Sequence, residues 1–94
     1  MAVKWTSKAL ANLGLIAEHI AKDNPDRAQS FVQETRQKTN LLAHFSSAGR
    51  AGRVAGTREL VAHKNYIAAY RVKGEDVQIL RVHHTAQKYP NPID

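Results

Sequence analysis

Apolar positions along this chain recur first at helical and then at strand spacing. Val3, Lys4, Trp5 and Thr6 form a short β-prone run, enough for one strand that must find its neighbours elsewhere in the fold. Ser7 offers a helix N-cap. Beyond it Leu10, Leu13, Ile16, Ala17 and Ile20 follow three- and four-residue intervals, with Lys8, Asn12, Glu18 and Lys22 on the other faces, so an amphipathic helix is expected. Asp23, Asn24, Pro25 and Asp26 stop the chain and restart it: Asn24 can cap a second helix, Pro25 suits its first position, and Asp26 complements its dipole. The apolar stripe of that helix is Ala28, Phe31, Val32, Thr35 and Leu42, ending near Ala43. So short a connection requires the two helices to lie antiparallel.

From His44 to Gly56 no hydrophobic period is present, and the segment reads as a basic loop. Leu60 and Ala62 then alternate with Glu59, Val61 and His63, and Lys64 with Asn65 supplies a tight turn into a second strand, Tyr66 to Val72. Lys73, Gly74, Glu75 and Asp76 turn the chain into a third, Val77 to Val82. The expected fold is α+β: an N-terminal strand, an antiparallel helical hairpin, then a three-stranded antiparallel meander. Together these make one small sheet with both helices packed on one face and the opposite face left for a partner. Residues 1–94 form a single domain, since a chain of this length buries too little surface for two cores, and Pro90 and Pro92 make about 84–94 an irregular tail.

Charge adds a constraint that the pattern does not. Fourteen Lys and Arg against eight Asp and Glu leave a formal net charge of +6, which favours a polyanion or an acidic protein partner, although it also serves solubility alone. The absence of cysteine removes disulfides and thiolate metal sites from consideration. Lys4, Lys8, Asn12 and Glu18 interrupt the N-terminal apolar positions where a signal peptide would be continuous, and no segment approaches the roughly 20 apolar residues that span a bilayer. A cytoplasmic protein without membrane association is expected.

The candidate chemistry lies in the C-terminal half. Arg50, Arg53 and Arg58 fall within nine residues among glycines, and guanidinium forks suit phosphates and carboxylates. Strand alternation places Ile67, Ala69 and Arg71 on one face, and Val77, Ile79 and Arg81 on one face, so Arg71 and Arg81 are expected near each other. The competing account is a solvated loop and strand arginines paired with Glu59, Glu75 or Asp76. His83 and His84 end the last strand beside Lys88 and Tyr89 and could supply acid–base chemistry, but adjacent strand residues point to opposite faces. One of the two is therefore expected to be structural. His63 could approach them across the sheet, yet the spacing provides no convergent metal site, and neither metal nor cofactor is expected. Tyr66 and Tyr70 share a face and read as core or rim packing, Trp5 as a core plug, and Tyr89 as an aromatic able to stack on a base or anchor a partner.

The opening VKWTSKAL, the helix closing on HIAKDNPDRA, the loop GRAGRVAGTREL, the strand NYIAAYRV and the ending QILRVHHTAQKYP together resemble, in order, the RelE/ParE superfamily of bacterial type II toxins. The resemblance covers nearly the whole chain. It implies two antiparallel helices on a small antiparallel sheet, and a growth-inhibiting protein neutralised in a hetero-oligomer by a cognate antitoxin. That antitoxin would bring an acidic, partly disordered C-terminal segment to the basic surface. RelE-like members cut mRNA in the ribosomal A site, whereas ParE-like members bind DNA gyrase. In the nuclease pattern Arg58 matches a basic strand position, but Ile67 stands where a mid-strand Arg is expected. His83 and His84 follow the last strand in place of an Arg, and Tyr89 is the tail aromatic. Loss of the mid-strand Arg removes stabilisation of transition-state charge worth roughly a hundredfold in rate. The wording RELVAHKNYIAAYRV is closer to the ParE branch. The resemblance thus implies target or antitoxin binding through Arg50, Arg53, Arg58, Arg71, Arg81, Lys88 and Tyr89, and in a nuclease it would assign catalysis to Arg58, His83, His84 and Tyr89.

Overall fold

Two side-chain caps fix where the helices begin. In the computed structural model, which describes residues 1–85, the first strand β1 (Ala2–Trp5) ends at Thr6, and helix α1 (Ser7–Ala21) starts directly after it. Thr6, not Ser7, is the N-cap: its backbone is extended and its Oγ1 accepts the Ala9 amide at 3.1 Å. The same hydroxyl donates to the Ile79 carbonyl at 2.9 Å, so one residue both starts the helix and ties it to the sheet. This anchoring rotates the expected stripe. Ala9 and Leu13 are buried with Ile16, Ala17 and Ile20 packed beside them, while Leu10 is 47% exposed. Asn12, expected on an outer face, instead reaches the sheet.

Helix α2 (Pro25–Asn40) begins as anticipated, with Asn24 Oδ1 accepting the Arg27 amide at 3.1 Å and Pro25 in the first turn. A 3₁₀ turn, Leu41–Ala43, continues it to the expected end. Ala28, Phe31, Thr35, Thr39 and Leu42 are buried, and the Thr39 hydroxyl is satisfied by donating to the Thr35 carbonyl at 2.9 Å.

The remaining strands are β2 (Arg50–Ala51), β3 (Arg58–His63), β4 (Tyr66–Lys73) and β5 (Asp76–His84), in a five-stranded sheet of order β1-β5-β4-β3-β2. β3, β4 and β5 are the expected antiparallel meander, and Asn65, at φ 67°, closes the tight turn between the first two. Two features differ from expectation. β1 lies parallel to β5, which makes the sheet mixed, and the segment read as an irregular loop contains β2, antiparallel to β3. A ladder of two residues is too short to leave a period in sequence.

Register assigns the faces. Val3, Trp5, Val77, Ile79, Val82, Ala68, Tyr70, Ala62 and Leu60 meet the helices around Leu13, Phe31 and Leu42. The other face carries Glu59, Val61, Ile67, Ala69, Arg71, Gln78, Arg81 and His83. Strict alternation would have put Arg81 with Val77 and Ile79. Instead Leu80 is an extra residue opposite β4, since Ala69 pairs with Arg81 and Tyr70 with Ile79, and this bulge turns Arg81 to the other side. A second bulge at Ala62 likewise moves His63 away from Glu59 and Val61 and onto the helical side with Tyr66. The face opposite the helices is not an open platform: Glu59, Ile67, Ala69, Arg81 and His83 are all buried, and only its rim is exposed.

Candidate functional site

The glycine- and arginine-rich segment folds as a β-hairpin, and one buried carboxylate organises it. Arg50 pairs with Glu59 and Ala51 with Arg58, after which the Gly52 amide donates to the Thr57 carbonyl at 2.8 Å and the Thr57 amide to Val54 at 3.1 Å. Arg53 therefore stands at the tip. The Glu59 side chain, 3% exposed, spans the hairpin: Oε1 accepts from an Arg50 guanidinium nitrogen at 3.4 Å and Oε2 from the Arg53 backbone amide at 3.4 Å. Arg53 Nε lies 3.9 Å from the same Oε2. A carboxylate removed from water is tolerated only with charged or hydrogen-bonding partners, and here two arginines supply both. Their side chains remain 64% and 40% exposed. Glu59 thus neutralises part of the cluster while two guanidinium groups stay at the surface.

The base of the hairpin is fixed from the helical side. The buried Tyr70 hydroxyl donates to the Ser46 carbonyl at 2.7 Å and accepts the Gly49 amide at 2.9 Å. A β-carbon on Gly49 would come within 2.7 Å of the Tyr70 ring and 2.8 Å of the Glu59 carbonyl, so no larger residue fits without displacement. Arg58, on that side of β3, donates to the Gly49 carbonyl at 2.8 Å and toward Ser47 at 3.4 Å. Its guanidinium braces the loop, and the fold separates it from Arg50 and Arg53.

Across the sheet, Arg81, Ala69, Glu59 and Arg50 form one register row through four strands. Ala69 keeps the floor low between the charged members. Arg71 lies on the same face and donates through Nε to Gln78 Oε1 at 2.8 Å. Arg71 and Arg81 share this face only by way of the Leu80 bulge, with Arg71 opposite Gln78 and Arg81 opposite Ala69. His83 joins them beside Ile67, and burial first, then the Arg81 charge, holds its pKa below the ordinary histidine value; Arg53 acts the same way and Glu59 opposes.

The other histidines lie on the helical side. His63 Nε2 is 2.8 Å from Glu34 Oε2, and its ring meets Phe31 edge-on at 5.4 Å. Tyr66 packs against Phe31 at 5.0 Å and against the exposed His84 at 5.2 Å. His83 and His84 thus point to opposite faces, with His83 buried. Tyr70 is a core residue, and Trp5 packs at the core edge with the Arg36 guanidinium 5.6 Å from its ring centroid. Arg58, His83 and His84 do not converge on a common point, and Lys88 and Tyr89 lie outside the described residues. Among the described residues no group of three or more His, Asp or Glu could hold a metal ion. The bracing pair Tyr70 and Gly49 escaped the sequence reading, because a strand tyrosine with apolar neighbours looks like core and its hydroxyl partners are backbone atoms.

Comparison with known proteins bears on the whole arrangement. Residues 3–89 match the family model described as ParE toxin of type II toxin-antitoxin system, parDE. A protein of Sinorhizobium fredii named "Putative toxin Y4kP" is 42% identical over 92 residues, covering 97% of this chain and 95% of that one. Toxin RelE2 of Caulobacter vibrioides is 34% identical over 85 residues, covering 90% and 96%. A solved structure described as the chromosomal ParDE TA system from P. aeruginosa superposes with a TM-score of 0.81 at 35% identity, covering 89% of this chain and 95% of that one.

Proposed function

Because the chain belongs to the ParE toxin family of type II toxin–antitoxin systems, we propose that it arrests growth by binding DNA gyrase through the arginines of its hairpin. In this reading it acts in the cytoplasm as a binding inhibitor, and an acidic cognate antitoxin keeps it inactive in a hetero-oligomer. The carrying observation is the hairpin itself. Arg50 and Arg53 share one buried carboxylate and stay substantially exposed, so the surface retains positive charge in a fixed shape. An antitoxin segment rich in Asp and Glu is the natural cover for such a rim.

Ribosome-dependent mRNA cleavage is the reading against which this one is measured. It is disfavoured by the division of Arg58, His83 and His84 between two faces, and by the burial of His83, since acid–base catalysis needs its groups within hydrogen-bond reach of one substrate. Ile67, at the position where the nuclease pattern carries a charge, is buried and apolar. The deciding experiment sets purified toxin against gyrase supercoiling and, separately, against mRNA on translating ribosomes. Loss of supercoiling with intact mRNA is expected. Cleavage at A-site codons with supercoiling unaffected would reverse the assignment.

A further inference from the structure

We infer that Glu59 is a positioning residue for toxicity: it fixes the hairpin so that Arg50 and Arg53 are presented together, and growth arrest depends on that presentation. The inference deepens the basic-hairpin reading above and rests on it. Glu59 is the one buried carboxylate among the described residues, and it sits in a chain of net charge +6. Were it only a neutralising partner, one guanidinium would suffice. Instead its two oxygens divide between a side chain on β2 and a backbone amide three residues further on, at 3.4 Å each. The carboxylate therefore defines the path of the hairpin tip as well as its charge. It acts from beneath, since Glu59 is buried while both arginine side chains reach solvent, so it cannot itself be the main contact for a macromolecular target.

On the opposite side Tyr70 and Arg58 already hold the segment at Ser46, Ser47 and Gly49. Those bonds stop before Arg50. The β2–β3 ladder and the Gly52–Thr57 bond carry the backbone as far as Gly52, and the Glu59 carboxylate adds the Arg53 amide and the Arg50 guanidinium; preorganising two long side chains reduces the entropy lost when a target orders them. The substitution Glu59→Gln keeps the shape and removes the charge, leaving the core layer of the sheet untouched.

The test follows growth arrest by the full chain, read as the inducer concentration that halves growth, together with the ¹H–¹⁵N resonance and hydrogen exchange of the Arg53 amide. Expected for Glu59→Gln is a potency loss of about tenfold, with the Arg53 amide shifted upfield and exchanging faster. Arg50→Ala/Arg53→Ala should lose at least as much, and adding Glu59→Gln to that pair should cost nothing more, because a residue acting only through two others has no effect once they are gone. Should Glu59→Gln fail to fold, Glu59→Asp carries the test: it keeps the charge, shortens the reach by one methylene, and should loosen the Arg53 amide with intermediate potency. Full potency of a folded Glu59→Gln, or of Glu59→Asp with a displaced Arg53 amide, overturns the inference while leaving the arginines their role. A further loss on adding Glu59→Gln to the double alanine variant would make Glu59 merely structural. Full potency of Arg50→Ala/Arg53→Ala would remove the basic-hairpin reading itself, and the inference with it.

Discussion

A single hydroxyl at Tyr70 shows how much can depend on one atom. It is buried, donates to Ser46 and accepts from Gly49, so Tyr70→Phe would leave a carbonyl and an amide without partners while preserving the ring packing. The expected cost is about 2 kcal/mol, measured by urea unfolding, with loop amides 46–50 losing protection from exchange. A loss near zero would mean that solvent replaces the hydroxyl without penalty. His83 makes a pH-dependent contribution of defined sign. Its folded pKa is lowered by burial and by Arg81 and Arg53, against Glu59, so below the ordinary value of about 6.5 the unfolded chain takes up a proton that the folded chain refuses. Stability is unaffected where both states are neutral, falls as pH drops through the unfolded value, and levels off below the folded one. Unfolding free energies between roughly pH 7.5 and 5.5 should therefore decline more steeply for the wild type than for His83→Gln. Parallel curves would show that His83 takes up its proton equally in the folded and unfolded chain, with no shift caused by burial.

At the level of elements, local signals were legible wherever the physics is local. Asn24, Pro25 and Asp26 mark a helix start because the cap, the fixed φ and the dipole act within one turn, and α2 begins there. Asn24→Ala should lower stability by about 1 kcal/mol by thermal or urea unfolding, since the Arg27 amide loses its acceptor. The Lys64-Asn65 turn was equally readable. The first cap was misread by one residue, since Thr6 is chosen over Ser7 by its second bond, to Ile79 on a strand 73 residues away. Bulges at Ala62 and Leu80 escaped the alternation argument for a related reason. An extra residue is accommodated by its partner strand, and period-two reasoning sees one strand at a time. The consequence reaches the candidate site, because the Leu80 bulge puts Arg81 on the face of Glu59.

On the scale of the molecule, two of the arginines that make the chain basic, Arg50 and Arg53, share one buried carboxylate and keep their side chains at the surface. Association with an acidic antitoxin segment should accordingly slow as salt rises, and the Arg50→Ala/Arg53→Ala variant should show a shallower dependence between about 50 and 500 mM in stopped-flow measurements. Equal slopes would place the electrostatic steering elsewhere on the surface. The first strand, the helical hairpin, the meander and the basic character of the C-terminal half were determined by sequence alone, because periodicity, caps, turns and net charge are sums over neighbouring residues. Tertiary structure decided that β1 joins parallel to β5, that Arg58 braces a loop while Arg50 and Arg53 face outward, and that His83 is enclosed. Each depends on which strand lies beside which and in what register, and that is set by burial of the whole core at once.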